Sequence, residues 1–269
     1  RCTCRALRDA FTRPLVELFD ERVPGRILGR RFHAHETKTV LHDVVQDVRL
    51  LAWACESGCC WHEKLAMVAA AAGREEAINY LYEFWDYRLS MDLFPVAAAH
   101  GHLATLEWMH QNITAHQNCV WQPHTCDAAA TNGHLYCLRF AFDRHLPFST
   151  HGLNGAAQNG HYLCVEFMLT QNLRDWRWDR SRCRTCDFAA AGGHIRVLKL
   201  LREYALPWCS DTTEACAKHG HLECLEWLQE QGCPLDHEWC FREAAINGHV
   251  DVVRWLMAHW LGLEDEYFS

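Results

Sequence analysis

The sequence predicts an all-α protein: a solenoid of helix-turn-helix repeats, about eight units long. Three observations predict it. The dipeptide Gly-His recurs at Gly101-His102, Gly133-His134, Gly160-His161, Gly193-His194, Gly220-His221 and Gly248-His249, and Gly73-Arg74 is a further copy. Small residues stand four and three positions before each glycine, as in Ala69-Ala70, Ala129-Ala130, Ala189-Ala190 and Cys216-Ala217. Apolar residues stand five and seven positions after it, as in Ile78 and Tyr80, Leu106 and Trp108, or Leu225 and Trp227. The glycine spacings from Gly73 onward are 28, 32, 27, 33, 27 and 28. A period held in this many columns marks a repeat array.

Within one unit, the paired small residues let a short first helix pack close to its neighbours. The glycine supplies the left-handed residue that ends this helix. A second helix follows, with apolar residues at +2, +5, +8 and +4, +7 from the glycine, a broad face of 3.6-residue period. Gly58, Gly232 or a proline then stops it. Each unit leaves apolar surface open on two sides, so stacking is required to cover it.

Taken in order, residues 1–39 lie outside the repeat. RCTCRALRDAF reads as a basic amphipathic helix with Cys4, Leu7 and Phe11 on one side, and Pro14 suits a first helical turn. One reading makes this segment an N-terminal cap on the array that occupies 40–269. The first unit is degenerate, with Gln46-Asp47 in place of Gly-His. Two connections are long and account for the 32- and 33-residue spacings: 111–127 and 171–187. Insertions in repeat proteins fall in loops, often on the binding face. The first holds Trp121. The second interleaves Arg174, Arg177, Arg180, Arg182 and Arg184 with Trp176 and Trp178. Tryptophan and arginine are the residues most enriched in interface hot spots, so Trp121, Arg174, Trp176, Arg177, Trp178, Arg180 and Arg182 are the candidate partner-binding residues. The competing expectation is that one or both loop tryptophans fold back on the neighbouring unit, as Trp208 is expected to do. The segment GLEDEYFS (262–269) is an acidic tail or the start of a further unit. Leu256 and Trp260 are expected to be exposed unless something covers them.

The repeat resembles the ankyrin repeat, in the short Cys- and Trp-rich form seen in proteins of protists and of large amoeba-infecting DNA viruses. Ala-Ala-x-x-Gly-His and Leu-x-x-Leu-x-Trp-Leu carry the resemblance, over about residues 40–269. It implies a scaffold that binds a partner protein on its concave and loop face. The Thr-Pro-Leu-His opening of the family is absent, and most units are some five residues shorter than usual. The segment RCTCRALRDAF also resembles the end of an F-box. That implies an alternative role, a substrate receptor of a cullin-type ubiquitin ligase with the ligase adaptor as a partner. An F-box would then lie upstream of Arg1.

Composition narrows the remaining classes. The sixteen cysteines fall largely into repeat columns. Cys137, Cys164 and Cys224 share one slot of the second helix, and Cys126 and Cys186 share one of the first. They are expected to be free thiols packed as small apolar residues, which points to a reducing cytoplasmic setting. Net charge is −8. Residues 1–40 hold nine of the 26 basic and five of the 34 acidic residues, a surplus of +4, which leaves −12 on the rest. An acidic array is a poor general nucleic-acid binder; an RNA role through the Arg/Trp loop is a third reading. No apolar run is long enough to span a membrane. Nineteen histidines invite a metal, but repeats stack about 8–10 Å apart, whereas the ligands of one zinc lie about 2 Å from it. The Gly-His histidines are expected to bond backbone at the turn instead. Cys183-x-x-Cys186 is a lone pair with one member in a core slot. No phosphate loop, nucleophile elbow or His-Glu-x-x-His is present, so no cofactor and no catalysis are expected.

Overall fold

In the computed structural model, residues 37–56, 62–84, 92–116, 122, 124–172 and 184–261 are described. They form sixteen helices with no strand among the described residues. In chain order these are α1 (Thr37–Gln46), α2 (Val48–Glu56), α3 (His62–Ala71), α4 (Glu75–Phe84), α5 (Leu93–Ala99), α6 (Leu103–His116), α7 (Thr125–Thr131), α8 (Leu135–Phe142), α9 (Thr150–Gln158), α10 (Tyr162–Asn172), α11 (Thr185–Ala191), α12 (Ile195–Glu203), α13 (Ser210–His219), α14 (Leu222–Glu230), α15 (His237–Ile246) and α16 (Val250–Leu261). They make eight helix pairs, one for each repeat read from the sequence. The chain divides into two compact units, Arg1–Gln122 with α1 to α6 and Pro123–Ser269 with α7 to α16. In each, the odd-numbered first helices pack most closely on one another, and the even-numbered second helices lie behind them.

The turn columns explain the pairing. Gly193 adopts φ +72° and Gly220 φ +77°, the left-handed conformation that closes a helix at little cost only for glycine. Around Gly193, its N–H donates to the Ala190 carbonyl at 3.1 Å and that of His194 donates to Ala189 at 3.0 Å. The same double bond recurs at Gly73, Gly101, Gly133, Gly160, Gly220 and Gly248. Ala69-Ala70 and its equivalents are therefore both acceptors of the turn and the surface that the next helix covers; Ala70, Ala98, Ala130, Ala157, Ala190 and Ala217 are all fully buried.

The second helices bury the +4, +5 and +8 columns. At +5, Ile78, Leu106, Leu138, Val165, Leu198 and Leu225 are fully buried, and Cys137, Cys164 and Cys224 fill +4. The +7 aromatics are half-buried instead. They line the outer side, where Phe167 meets Phe142 edge-on at 5.6 Å and Trp227 meets Trp208 at 6.0 Å. Trp208 thus folds back on the neighbouring repeat, as expected. Leu256 corrects an expectation: it is fully buried rather than exposed. As a +8 residue it faces its own pair, not the open side of the last repeat. The 111–127 connection is also partly helical, because α6 continues to His116. The second helices of three repeats end on a left-handed residue before Leu-Pro or Cys-Pro: His145 (φ 62°), Ala205 (φ 56°) and Gly232 (φ +76°).

The histidine column locks successive repeats together. Within the two units, the imidazoles of His102, His161, His194, His221 and His249 lie over the glycine of the preceding repeat. His102 Nε2 lies 2.9 Å from the Ala71 carbonyl, His221 Nε2 3.0 Å from Ala191 and His249 Nε2 2.9 Å from Lys218. His161 bonds the Thr131 backbone in the same way. In these four the acceptor is the residue two before the preceding glycine. The expectation of a backbone bond holds, but it spans the repeats rather than staying within one turn. A Cβ at Gly193 would meet His221 Nδ1 at 2.6 Å, one at Gly160 would meet His194 at 2.6 Å, and one at Gly73 or Gly133 would meet the facing histidine at 2.5 Å. The glycine is required twice, by its φ and by the ring above it. On the degenerate first repeat, the guanidinium of Arg74 from the second repeat donates to the Gln46 side chain in the histidine's stead.

Gly193→Ala is therefore expected to cost roughly 2–3 kcal/mol, from left-handed strain of about 1–2 kcal/mol and a weakened hydrogen bond of about 1 kcal/mol. His221→Ala alone is expected to cost about 1 kcal/mol. The double variant should cost about 1 kcal/mol less than the sum, because the clash disappears with the ring. Urea unfolding of the four proteins measures this; strict additivity would contradict the contact.

Candidate functional site: the first-helix face and its loops

The first helices of the Pro123–Ser269 unit present two polar columns. Nine positions before the glycines stand His124, His151, Arg184, Asp211 and Trp239, all exposed. Six before stand Asp127, Asn154, Asp187, Glu214 and Arg242. Three of the second set reach into the following repeat. Asp127 accepts from the Ser149 N–H at 2.7 Å and from its hydroxyl at 2.6 Å. Asn154 Oδ1 accepts from the Thr185 hydroxyl at 2.7 Å. Asp187 Oδ1 accepts from the Thr212 hydroxyl at 2.6 Å. Ser149 in turn caps α9 by accepting from the His151 N–H at 3.0 Å. Gly152 and Gly155 allow this close approach, since a Cβ at either would strike Asp127 or Thr131. These three side chains fix where the repeats opening at Ser149, Thr185 and Thr212 begin on their predecessors.

Arg184 belongs to the same network. Its Nε donates to Asp187 at 2.8 Å, and its terminal nitrogen to Asp211 at 3.0 Å. The donor atoms of Asp187, Cys209 and Asp211 lie within 4.8 Å of one another, a set that could hold a cation. The guanidinium takes the cation's place there, bonding both carboxylates. Arg184 was read as one of the arginines of the 171–187 loop; the structure ties it to the repeats. Trp121, Arg174, Trp176, Arg177, Trp178, Arg180 and Arg182 lie outside the described residues.

Sequence reasoning missed a second tryptophan–arginine pair. Trp239 is 42% exposed, and the Arg242 guanidinium lies 5.0 Å from its ring centre, within cation–π range. Trp239 is the one apolar member of the −9 column, which was the available signal. Phe188 on α11 is also exposed on this face.

The described cysteines are free, and all but Cys209 are buried. Burial, with Asp127 beside it, pushes the Cys126 thiol up to about 12. Burial takes Cys164 and Cys240 to about 11 and Cys233 to about 12. Cys216 and Cys224 hydrogen-bond each other, which together with burial raises Cys216 well above its usual range. These thiols donate rather than react: Cys126 to the Leu146 carbonyl at 3.6 Å and Cys216 to Ala190 at 3.7 Å. Cys186 fills its core slot, which leaves Cys183-x-x-Cys186 one member short of an accessible pair.

Among solved structures, the fold matches the crystal structure of the human ASB11 ankyrin repeat domain, with a TM-score of 0.52 over 71% of this chain and 96% of that one. The chain has an ankyrin-repeat fold. Sequence identity in that match is 15%, so the likeness concerns the ankyrin fold alone. No protein-family profile matches the sequence, and no curated protein matches it. Among the described residues, no helix is long and apolar enough to cross a membrane.

Two solution measurements follow. In alkylation mapped by mass spectrometry at pH 8, Cys209 should label well before Cys126, Cys233 and Cys240, because the thiolate reacts and burial suppresses it; equal labelling would contradict the packing. The second concerns pH. Burial, and then the charge of His134, lowers the His161 pKa from its ordinary 6.5; burial, and then His221, lowers that of His219. The unfolded chain therefore takes up protons first. The stability from these neutral imidazoles is complete above about pH 6.5 and is lost as pH falls below it. The urea midpoint should be lower at pH 5.5 than at pH 7.5, and His219→Gln should shrink that difference. A midpoint that rises on acidification would contradict this sign.

Proposed function

We propose that this protein is a non-catalytic scaffold that binds a partner protein through its first-helix face and the 171–187 loop. The observation that carries the reading is the exposed Trp239–Arg242 pair on a face otherwise knit by short polar side chains. Aromatic and arginine side chains are the usual anchors of protein interfaces, and the fold holds them on rigid helices, which lowers the entropy cost of binding. Trp121, Arg174, Trp176, Arg177, Trp178, Arg180 and Arg182 supply the same chemistry from the adjoining loops. Residues 1–39 serve as a cap on the array of 40–269, and the setting is the reducing cytoplasm, in keeping with the buried free thiols.

The proposed test is affinity capture with quantitative mass spectrometry, using the wild type, Trp176→Ala/Trp178→Ala and Trp239→Ala. Proteins enriched by the wild type should fall about ten-fold or more with the loop variant, as for the loss of hot-spot residues. Unchanged enrichment in both variants would remove this face and loop from the binding role. Capture of RNA whose affinity falls steeply with salt would favour the nucleic-acid reading instead.

A second reading rests on RCTCRALRDAF and its likeness to the end of an F-box: a substrate receptor of a cullin-type ubiquitin ligase, with the repeats selecting the substrate. The coding sequence upstream of Arg1 tests it. A Leu-Pro-led apolar helix there, together with retention of a ligase adaptor in the capture experiment, supports this role; any other upstream sequence removes it.

A further inference from the structure

The first turns of the second helices carry an apolar patch that stays exposed within the array. In the Pro123–Ser269 unit, the position three after each anchor glycine lies in that turn: Tyr136, Leu163, Arg196, Glu223 and Asp251. Tyr136 is 74% and Leu163 59% exposed, and Arg196 is exposed as well. Leu163 is not at an end of the stack, since α10 packs against α8 on one side and α12 on the other. Cation–π contacts tie these turns side by side. The Arg196 guanidinium of α12 lies 5.3 Å from the ring centre of Tyr162, the neighbour of Leu163. That of Arg139, three residues beyond Tyr136 on α8, lies 5.9 Å from the ring centre of Phe167 on α10.

The chemistry of this column changes along the unit. α14 and α16 place Glu223 and Asp251 in the first turn, where a carboxylate offsets the positive end of the helix. α8, α10 and α12 have no acid there. His134 and His194, which precede α8 and α12, make no side-chain cap hydrogen bond. The first N–H groups of a helix have no acceptor within it. Three such helix ends therefore stand in a row, with the exposed cations Arg139, Arg196 and Lys199 beside them and two large apolar side chains upon them. Among the residues three and six after the glycines of these repeats, the one acid is Glu166, which is engaged with the Tyr162 hydroxyl. Glu223 and Glu226 on α14 bound the patch with the opposite sign. On an array that is acidic overall, a cationic and apolar patch selects an acidic partner with apolar side chains.

We propose that the first turns of α8, α10 and α12 bind an extended acidic segment of a partner protein, its carboxylates paired with Arg139, Arg196 and the first-turn N–H groups and its apolar side chains seated on Tyr136 and Leu163. Repeats stack about 8–10 Å apart, and three residues of extended chain cover about 10 Å. Anchoring side chains at every third position of the segment therefore meet successive repeats. The acid that α14 and α16 supply for themselves is supplied here by the partner. The patch lies on second helices, so it is separate from the first-helix face and does not depend on the role proposed for that face.

Selection of random phage-displayed peptides on the full chain tests it, with peptides about ten residues long, enough to cross three repeats. The enriched peptides should be acidic and carry Leu, Phe or Tyr. Their affinities are then measured by fluorescence anisotropy against the wild type, Leu163→Glu/Arg196→Glu and Trp239→Ala. The double variant installs the acid that Glu223 and Asp251 already place in this column, so its urea midpoint should match the wild type. It should weaken the acidic peptides about ten-fold or more, as for loss of hot-spot residues, and Trp239→Ala should leave them unchanged. Selection that enriches no acidic peptide would overturn the proposal, as would acidic peptides that bind the double variant as tightly as the wild type. Peptides weakened by Trp239→Ala alone would assign the binding to the first-helix face instead and overturn this patch. Vesicles of phosphatidylserine and phosphatidylcholine supply the remaining outcome. Co-sedimentation that the double variant loses, with no acidic peptide enriched, would assign the patch to a lipid surface and overturn the peptide as its occupant.

Discussion

A single contact underlies the array: an imidazole that lies on the glycine of the repeat before it and bonds the carbonyl two residues ahead of that glycine. It joins three demands in one place. The helix must end in a left-handed turn, which calls for glycine. The carbonyls of that helix end need a donor once neighbours exclude water. The next repeat needs a fixed rotation relative to the last. At Gly193 and His221 all three are met by the same few atoms. Because the contact is repeated, a small helix pair that could not cover its own apolar faces acquires a neighbour at a set distance.

A second layer of polar contacts refines the same register from the other end of each first helix. Asp127, Asn154 and Asp187 hold the opening residue of the following repeat, and Arg184 ties Asp187 to Asp211. Their carboxylates and amides are consumed by the scaffold, although they lie on the face open to partners. The groups left over on that face, Trp239 with Arg242 and Phe188, are therefore the ones with contact area to offer. A scaffold made this way separates its functions: short polar side chains set geometry, and a few large ones remain available for recognition.

Much of the fold was legible in the sequence because it is periodic. The Gly-His turn, the small-residue pairs and the buried +4, +5 and +8 columns follow from spacing alone. Contacts whose partners lie about thirty residues apart were not legible. The histidine column announced a backbone bond but not its acceptor, since nothing local distinguishes Ala191 from a carbonyl of the same turn. The +7 aromatics have the right spacing for the core yet sit on its outer edge, where a broad apolar face runs out toward solvent. His145 and Ala205 take left-handed conformations that composition assigns to glycine, and only Gly232 advertised the turn. Leu256 was misjudged because the open side of the last repeat was assigned to the wrong column. As for the site, Arg184 looked like a loop arginine and proved to be a strut, while Trp239 was signalled only by being the apolar member of the −9 column.

The tautomer of the histidine column tests the account most directly. Two-bond nitrogen–proton correlation spectra of the folded protein at pH 7.5 report which ring nitrogen carries the proton. If the imidazoles clasp the preceding repeat, His102, His161, His221 and His249 carry it on Nε2, and those protons exchange slowly with solvent. Protons on Nδ1, or rings that exchange freely between the two forms, would mean that the repeats are held in register by something other than this contact.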